Sequence, residues 1–244
     1  MTTHVVSPIE FDGRDIEVSG QAFHHLFRVK RLRVGEEMRV VDGEGRARRG
    51  VVARVERSHG VVALGGALAS LEPGLRLALL VALPKPDRAA WLVEKSTELG
   101  AHSVHFVLTE RSARDERALG APQLLRLHRV AVAAVEQCGR SQVPQVSGLH
   151  PLAEAVARER AAGARVLGLD ARAELGLAAA DLEEGRPVTV LVGPEGGWSD
   201  AERTALDGSR TDWRSLGERV LRVETAAVAA CAVLLAAPQR RALR

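Results

Sequence analysis

The chain is predicted to be an α/β protein of two parts, a small β-rich domain followed by a larger domain with a mostly parallel sheet. Up to about residue 70, apolar residues form short runs separated by turns, which is typical of small β domains. From residue 75 onwards, strand-like runs alternate with helical patterns, and this alternation predicts a mostly parallel sheet with helices on both faces. We therefore expect domains at 1–72 and 73–244, with residues 70–74 as the linker.

The first domain contains four strand-like runs and one helical patch. The strands are predicted at residues 16–18, 38–41, 51–55 and 61–64, and residues 42–45 (Asp-Gly-Glu-Gly) are predicted to form a hairpin turn. The helical patch covers residues 21–29, where Phe23, Leu26 and Phe27 recur at helical spacing. These elements predict a small β-barrel with one helix.

The second domain alternates between strands and helices along its length. Strands are predicted at residues 75–83, 103–108, 165–169 and 188–192, and helices at 87–99, 122–137 and 152–162. Gly100 ends the first of these helices. Residues 171–186 have no hydrophobic period and are predicted to be a loop.

Two glycine turns near the end of the chain predict a small-molecule pocket. The first, Gly193-Pro194-Glu195-Gly196-Gly197, follows a predicted strand, and Ser199 with Glu202 forms a capping box that begins a helix. Such a turn presents backbone N–H groups to a ligand beyond the carboxyl end of the strand. The second turn, Leu216-Gly217, closes a predicted short strand. Charged residues follow it, and then an apolar helix at 226–237, which Pro238 ends. Because this helix is apolar on every face, we expect it to be buried in the protein or in a dimer interface.

Composition excludes several classes of protein. The two cysteines, Cys138 and Cys231, cannot form a disulfide framework, which favours a reducing, cytoplasmic location. We find neither a secretion signal nor an apolar run long enough for a membrane span. The dinucleotide, P-loop, nucleophile-elbow and zinc motifs are all missing, so a bound metal is not expected.

Arginines are clustered at residues 28–33, 46–49 and 111–117, although the net charge is only +3. Basic clusters suit polyanions, because each neutralised phosphate releases counterions. The alternative for each cluster is a solvated, arginine-rich surface.

Six sequence motifs, in order, resemble the RsmE family, which are methyltransferases of the SPOUT superfamily that modify N3 of a uridine in small-subunit ribosomal RNA. The motifs begin at His25, Leu83, Glu94, Thr109, Glu136 and Gly193, and the last continues through Leu216–Ala226. The resemblance implies a PUA-like RNA-binding domain at 1–72 and a SPOUT domain at 73–244 with a carboxy-terminal trefoil knot. It also implies S-adenosylmethionine as the cofactor, the 16S ribosomal RNA or the small subunit as the partner, and a homodimer.

The same resemblance, together with the two turns, predicts the site residues. The predicted cofactor-binding residues are Leu169, Gly193, Pro194, Glu195, Gly196, Gly197, Leu216, Gly217, Val220, Leu221, Arg222, Thr225 and Ala226. The predicted RNA-binding residues are His24, Arg28, Lys30, Arg31, Arg33, Lys85 and Arg111. The predicted catalytic residues are Glu195, Glu224, Arg219, Arg222 and Arg140.

Methyl transfer to N3 requires that the imide nitrogen lose its proton, and that the base be unpaired. Glu195 and Glu224 are candidate bases, and the three arginines are candidates for stabilising the uracil anion or holding its phosphate. Each also has a structural alternative. Glu195 would cap its own turn, Glu224 would pair with an arginine just before a helix, and Arg140 would bridge to Glu136 one helical turn away.

Two other functions are open from sequence. One is a SPOUT enzyme that methylates another RNA atom, such as a ribose 2′-hydroxyl. The other is an RNA-binding assembly factor without catalysis, which the intact glycine turns and the Arg219–Thr225 segment argue against.

Overall fold

The computed structural model describes residues 1–112, 119–179 and 182–236, and these residues form two compact units. The first unit comprises residues 1–72 and 132–143, and the second comprises 73–131 and the residues from 144 onwards. The domain limits 1–72 and 73–244 stay a prediction. Grouping residues 132–143 with the first unit divides one continuous helix, and hydrophobic periodicity gives no sign of such a division because the helical pattern is unbroken.

The first unit is built on a five-stranded sheet in the order β1-β3-β4-β5-β2, in which only β1 and β3 are parallel. Its elements are β1 (Thr2–Val5), α1 (Pro8–Phe11), β2 (Asp15–Ser19), α2 (Gly20–Phe23), a π-helical segment (His24–Val29), β3 (Glu37–Val41), β4 (Ala47–Val55) and β5 (His59–Ala67). The predicted strands and the helical patch are therefore present, and β1 and α1 are additional. β1 escaped prediction because Thr2, Thr3 and His4 give it no apolar period; pairing with β3 defines it.

The core of the first unit packs aromatic rings against the sheet. Phe23 and Phe27 are buried, with ring centroids 5.2 Å apart. Gly60 of β5 lies under the Phe27 ring, where an added Cβ would come within 2.6 Å. Phe23, Leu26 and Phe27, which recur at the predicted helical spacing, thus pack this segment against the sheet.

The second unit is built on a six-stranded sheet in the order β11-β9-β10-β6-β7-β8, and every neighbouring pair is parallel. Its strands are β6 (Leu77–Ala82), β7 (Ser103–Leu108), β8 (Gln145–Pro151), β9 (Arg165–Leu169), β10 (Val188–Val192) and β11 (Asp212–Arg214). Its helices are α3 (Pro86–Leu99), α4 (Ala121–Cys138, shared between the units), α5 (Leu152–Ala161), α6 (Asp200–Gly208) and α7 (Val223–Leu235). The predicted mostly parallel sheet is confirmed.

The central strands are entirely buried, whereas the two edge strands are only partly buried. Every residue of β6 and β10 is buried, and Leu77 pairs with Val188. β8 and β11 are the edge strands. The short strand expected before Leu216-Gly217 is present as β11, whereas β8 was not predicted, because its half-buried residues have no recognisable strand pattern. Because all six strands are parallel, the turns after β6, β9 and β10 lie along one edge of the sheet.

Helix α7 begins three residues earlier than expected and buries one stripe. Its start at Val223 places Glu224 in the first turn, which corrects the expectation that Glu224 precedes the helix. One face is buried, and Val233 on another face is 37% exposed. The expected end at residue 237 and Pro238 lie outside the described residues. Within the described part of the chain, we find no helix with the length and apolar character of a membrane span.

Candidate active site

The first glycine turn lies after β10 and is closed by a tryptophan. A Cβ on Gly193 would come within 2.9 Å of the Trp198 ring, so the ring packs directly on the turn backbone. The Trp198 indole N–H donates to the carbonyl of Leu169 at the end of β9, at 3.1 Å. Within the turn, the Gly197 N–H donates to Pro194 O at 2.8 Å, with Gly197 at φ 69°. The turn is therefore attached to the ends of two neighbouring strands.

The predicted capping box begins α6. Glu202 N donates to Ser199 Oγ at 3.1 Å, and Ser199 N donates to Glu202 Oε2 at 2.9 Å. Glu202 Oε1 also accepts the N–H of Glu110 at 2.8 Å, from the loop after β7. One carboxylate thus joins the start of α6 to a third strand end.

The second glycine turn follows β11. Gly217 has φ 100°, a conformation that non-glycine residues rarely adopt, and a Cβ there would meet no atom within 4 Å. Arg222 is the N-cap residue of α7, so the segment between Gly217 and the helix is short.

The two turns form a cavity of about 360 Å³, within the size range of small-molecule sites. The predicted cofactor-binding residues that line it are Leu169, Gly193, Pro194, Glu195, Gly196, Gly197, Leu216, Gly217, Val220, Leu221 and Ala226. Arg219, predicted to be catalytic, and Arg111, predicted to bind RNA, line it too. We call this the first cavity.

Several residues of the first cavity were not predicted from the sequence, namely Asp170, Ala171, Arg172, Val192, Trp198 and Val223. Asp170 accepts bonds from the Arg172 backbone N–H at 2.8 Å and from the guanidiniums of Arg172 and Arg203. Burial would raise the pKa of Asp170, but these bonds outweigh burial and hold the pKa below its ordinary value. Residues 170–172 directly follow β9, which lies beside β10, the strand that leads into the first glycine turn. This position after a strand was the signal that could have identified them.

A second cavity of about 320 Å³ is lined by residues near the amino-terminal ends of α3 and α7: Asp87, Arg88, Trp91, Arg222, Glu224 and Thr225. Arg222 and Thr225, predicted to bind the cofactor, line this cavity rather than the first. Asp87, Arg88 and Trp91 were not predicted, although they follow the Leu83-Pro84-Lys85 motif directly.

Arg88 joins the two cavities through a pair of carboxylates. Its Nη1 lies 3.2 Å from Glu195 Oε1, and its Nε lies 3.5 Å from Glu224 Oε1. Glu195 is exposed, whereas Glu224 is only 7% exposed. Among the described residues, Glu224 Oε2 is buried and has no hydrogen-bond partner. The expected pairing of Glu224 with an arginine is therefore present, and Glu195 bonds to the same arginine.

Arg140 lines neither cavity and is bound within the first unit. Its Nε and Nη2 donate to Glu72 Oε2 at 2.9 and 2.7 Å, and Arg140 is only 5% exposed. Glu136 binds His4 Nδ1 at 2.7 Å and the Val5 N–H at 3.1 Å, so the expected Glu136–Arg140 bridge is wrong. Burial would raise the pKa of Glu136, but its bonds to His4 and Val5 hold the pKa below its ordinary value. The catalytic role of Arg140 stays a prediction that neither cavity supports.

The basic clusters differ in how they are used. His24, Arg28, Lys30, Arg31 and Arg33 are all exposed, and within the described residues none of them forms an ion pair with a carboxylate.

The second arginine cluster is bound within the first unit. Arg46 pairs with Asp12 and Asp42, and Arg49 pairs with Glu37. Arg48 donates to the carbonyls of Phe11 and Gly13. These contacts favour a structural role for residues 46–49.

The third cluster lies partly in the second unit's first cavity. Arg111 Nη1 donates to Gly196 O at 3.0 Å, and residues 113–117 lie outside the described residues. Lys85, the N-cap residue of α3, is exposed.

Two family models match the chain. Residues 71–235 match the RNA methyltransferase domain, and residues 18–64 match the RNA methyltransferase PUA domain. Ribosomal RNA small subunit methyltransferase E of Synechocystis sp. is 31% identical over 234 residues, covering 93% of this chain and 75% of that protein. The enzyme of the same name from Mycobacterium bovis is 32% identical over 224 residues, covering 87% and 83%.

Solved structures show the same architecture. Ribosomal RNA small subunit methyltransferase E of Neisseria gonorrhoeae, bound to S-adenosyl methionine, has a TM-score of 0.84 at 26% identity and covers 95% of both chains. A methyltransferase from Legionella pneumophila, in complex with the same cofactor, has a TM-score of 0.76 at 29% identity and covers 97% and 96%. The chain belongs to the RsmE family of RNA methyltransferases.

Proposed function

We propose that the protein transfers a methyl group from S-adenosylmethionine to N3 of a uridine in the small-subunit ribosomal RNA. The observation that carries the proposal is the first cavity, which two glycine turns and the ends of parallel strands enclose. Relatives with the same architecture bind this cofactor and carry the name of a small-subunit ribosomal RNA methyltransferase.

The residues of the first cavity suit S-adenosylmethionine. When bound, this cofactor supplies an electrophilic methyl group on a positively charged sulfur. Leu169, Leu216 and Leu221 offer apolar surface for the adenine ring, and the turn backbones offer N–H and C=O groups for its polar edges. Glu195 provides a carboxylate for the cationic groups, and Arg219 provides a guanidinium for the carboxylate.

The exposed basic residues of the first unit suit an RNA backbone. His24, Arg28, Lys30, Arg31 and Arg33 lie on or just after the π-helical segment, and the match to a PUA domain covers them. Because these residues lack carboxylate partners within the described chain, their charges are available to phosphates. Lys85 and Arg111 are proposed to extend RNA contact in the second unit.

We further infer a cytoplasmic homodimer with a trefoil-knotted second unit. α7 supports the dimer, because Ala226 and Ala229 are only half-buried and Val233 is exposed. An unpaired charge in an interface is costly, so Ala229→Arg should dissociate or unfold the protein. Sedimentation at micromolar concentration measures this; an active wild-type monomer of 26.1 kDa would contradict the dimer.

Calorimetric titration with S-adenosylmethionine tests the cofactor site. A Cβ on Gly196 would lie 3.3 Å from Arg111 Cβ, so Gly196→Val should crowd the cavity and abolish the binding heat. Gly208→Val, at the end of α6, is the matched control because a Cβ there meets no atom within 4 Å. Retained affinity in a folded Gly196→Val protein would remove this turn from the site.

Mass mapping of ribosomal RNA tests the acceptor atom. The small-subunit RNA of a strain lacking this gene should lose one N3-methyluridine, and the purified protein should restore it. Loss of a ribose 2′-O-methyl group would favour the alternative enzyme. An unchanged RNA, with no heat of cofactor binding, would favour a non-catalytic RNA-binding factor.

A further inference from the structure

The two cavities share a wall formed by the chain that leads into α7. Leu221 and Val223 line the first cavity, whereas Arg222 and Glu224 line the second. Arg88, in the wall of the second cavity, bonds Glu195 in the wall of the first. The second cavity therefore adjoins the first, and its residues suit a second reactant.

The buried carboxylate of Glu224 is incomplete without a ligand. Glu224 is over nine-tenths buried; its Oε1 faces Arg88, and its Oε2 has no partner within the described part of the chain. A buried carboxylate oxygen that accepts no hydrogen bond is strongly destabilising. An N–H group of a ligand in the second cavity would satisfy it.

The neighbours of Glu224 specify which N–H group fits. Arg88 and Arg222 carry only donors, so the wall offers donors beside the Glu224 acceptor, and Asp87 and Thr225 complete its polar lining. The imide edge of uracil presents the complement, with an N3–H donor between the O2 and O4 acceptors. Cytosine does not match, because its N3 is an acceptor and its N4 is a donor. Trp91, 42% exposed, adds an aromatic ring on which an extruded base can stack.

We propose that the second cavity binds the imide edge of an unpaired uracil, with Glu224 as the proton acceptor and Arg88 as a positioning residue. This inference rests on the proposed function, and it selects among the candidate bases. The N3 proton goes to the Glu224 carboxylate, and the N3 electron pair forms the bond to the methyl carbon. The carbon–sulfur bond breaks with its electron pair on sulfur, which becomes a neutral thioether, and Glu224 then releases the proton to water.

Arg88 acts through the carboxylates that it holds. Its guanidinium faces Glu224 Oε1 and Glu195 Oε1 at once, so Glu224 Oε2 is the carboxylate oxygen that accepts no hydrogen bond within the described residues. Glu195 is the weaker candidate for the base, because it is exposed and lies in the wall of the cofactor cavity.

Binding without cofactor provides the first test, using two fragments of the small-subunit RNA that differ only by uridine or cytidine at the modified position. The wild type should prefer uridine by roughly tenfold or more, because the mismatched edge leaves polar groups unpaired. Glu224→Gln should lose this preference, since a glutamine amide can face either base. Glu183→Gln, at an exposed ion pair of the same unit, should retain it. Equal affinity of the wild type for both fragments would overturn the proposal.

Single-turnover methylation against pH provides the second test. Glu224→Gln should slow the reaction by about 100-fold or more at neutral pH and make the rate rise with pH, as expected when a general base is removed. Arg88→Met should lower the rate with cofactor affinity retained, and Arg88→Lys should recover part of it. Arg186→Met, at an exposed ion pair, is the matched control. Under steady-state turnover, Trp91→Ala should raise KM for RNA more than it lowers kcat.

The outcomes separate this inference from the proposed function. Glu224→Gln with the rate and pH profile of the wild type would overturn the inference while leaving the proposed function intact. A wild type that neither binds S-adenosylmethionine nor methylates RNA would overturn the proposed function itself. If Glu224→Gln does not fold, Arg88→Lys and Trp91→Ala decide, because wild-type KM, rate and pH profile in both would exclude the second cavity as the base site.

Discussion

Two arginine–glutamate pairs, each with one buried member, illustrate opposite uses of the same chemistry: Arg140–Glu72 in the first unit and Arg88–Glu224 in the second. In the first pair every carboxylate oxygen is occupied. Glu72 Oε2 accepts two bonds from Arg140, and Glu72 Oε1 accepts the N–H groups of Ser141 and Gln142 at 2.7 and 3.0 Å.

In the second pair the arginine is shared between two carboxylates, and one oxygen of Glu224 accepts no hydrogen bond within the described residues. Arg88 bonds both Glu195 and Glu224, and Glu224 Oε2 has no partner among the described residues. A saturated pair stabilises the fold and offers nothing to a ligand, whereas an unsaturated pair beside a cavity is costly unless a ligand completes it. Whether every carboxylate oxygen accepts a hydrogen bond, rather than the residue type, thus distinguishes structural ion pairs from functional ones.

The largest effect is expected from Glu72→Gln. Each oxygen of Glu72 faces two donors, so the amide NH₂ of glutamine would oppose donors in either orientation, and the buried Arg140 would lose the charge of Glu72. We expect a loss of about 3–5 kcal/mol in the free energy of unfolding. Denaturant titration measures this, and Glu183→Gln, at an exposed pair with Arg186, should change stability by less than about 1 kcal/mol. Equal losses in both variants would break the comparison.

A hydrogen-bonded network of two histidines and a serine extends the comparison to side chains whose neutral form is favoured in the folded protein. His105 Nδ1 lies 2.6 Å from Ser147 Oγ, which lies 2.8 Å from His150 Nε2. Burial, assisted by the charge of Arg158, lowers the pKa of His105 from 6.5 to about 4.

A lowered histidine pKa means that the unfolded chain takes up the proton first. The contribution of His105 is therefore fully present above pH 6.5 and is lost as pH falls from 6.5 to about 4, by roughly 3 kcal/mol in total. Unfolding free energies at several pH values, for the wild type and His105→Gln, measure this share. A pH dependence that is the same in both proteins would show that His105 titrates normally.

A small effect on stability is expected from Glu224→Gln, the isosteric counterpart of Glu72→Gln. Because Glu224 Oε2 faces no donor within the described chain, the glutamine NH₂ can take its place while the amide oxygen keeps the contact with Arg88. We expect a change of less than about 1 kcal/mol in the free energy of unfolding. The same denaturant titration applies, and a loss as large as that of Glu72→Gln would mean that Glu224 is structural.

The smallest effect on stability is expected where arginines have no carboxylate partner. Arg28, Arg31 and Arg33 are exposed, and their joint change to alanine should leave the unfolding midpoint unchanged. Their RNA binding should weaken, and the plot of log affinity against log salt should flatten by ~0.7–0.9 per lost phosphate contact. The control removes the same charge from three other exposed arginines of this unit, Arg14, Arg54 and Arg57. Equal slopes in the two triple variants would contradict the RNA surface.

Features that depend on neighbouring residues were accessible from the chain alone. The buried strand Val188–Val192, the turn with Gly193 and the capping box of Ser199 and Glu202 each follow from a few adjacent residues, because hydrophobic period, glycine freedom and capping act locally. The alternation of such elements then predicted a parallel sheet, and the residues of the two turns predicted most of the first cavity.

Features that join distant residues became visible only in the folded chain. Arg88 and Glu195 are 107 positions apart, and Arg140 and Glu72 are 68 apart, so no pattern in the sequence pairs them. Glu72 lies within the expected linker, but it forms an ion pair in which both of its carboxylate oxygens accept hydrogen bonds. Its partner is Arg140, which was expected to be catalytic. Local physics specifies which segments form strands, turns and helices. Side-chain contacts between those segments depend on the topology that brings them together, and those contacts determine which charges are satisfied and which face a ligand.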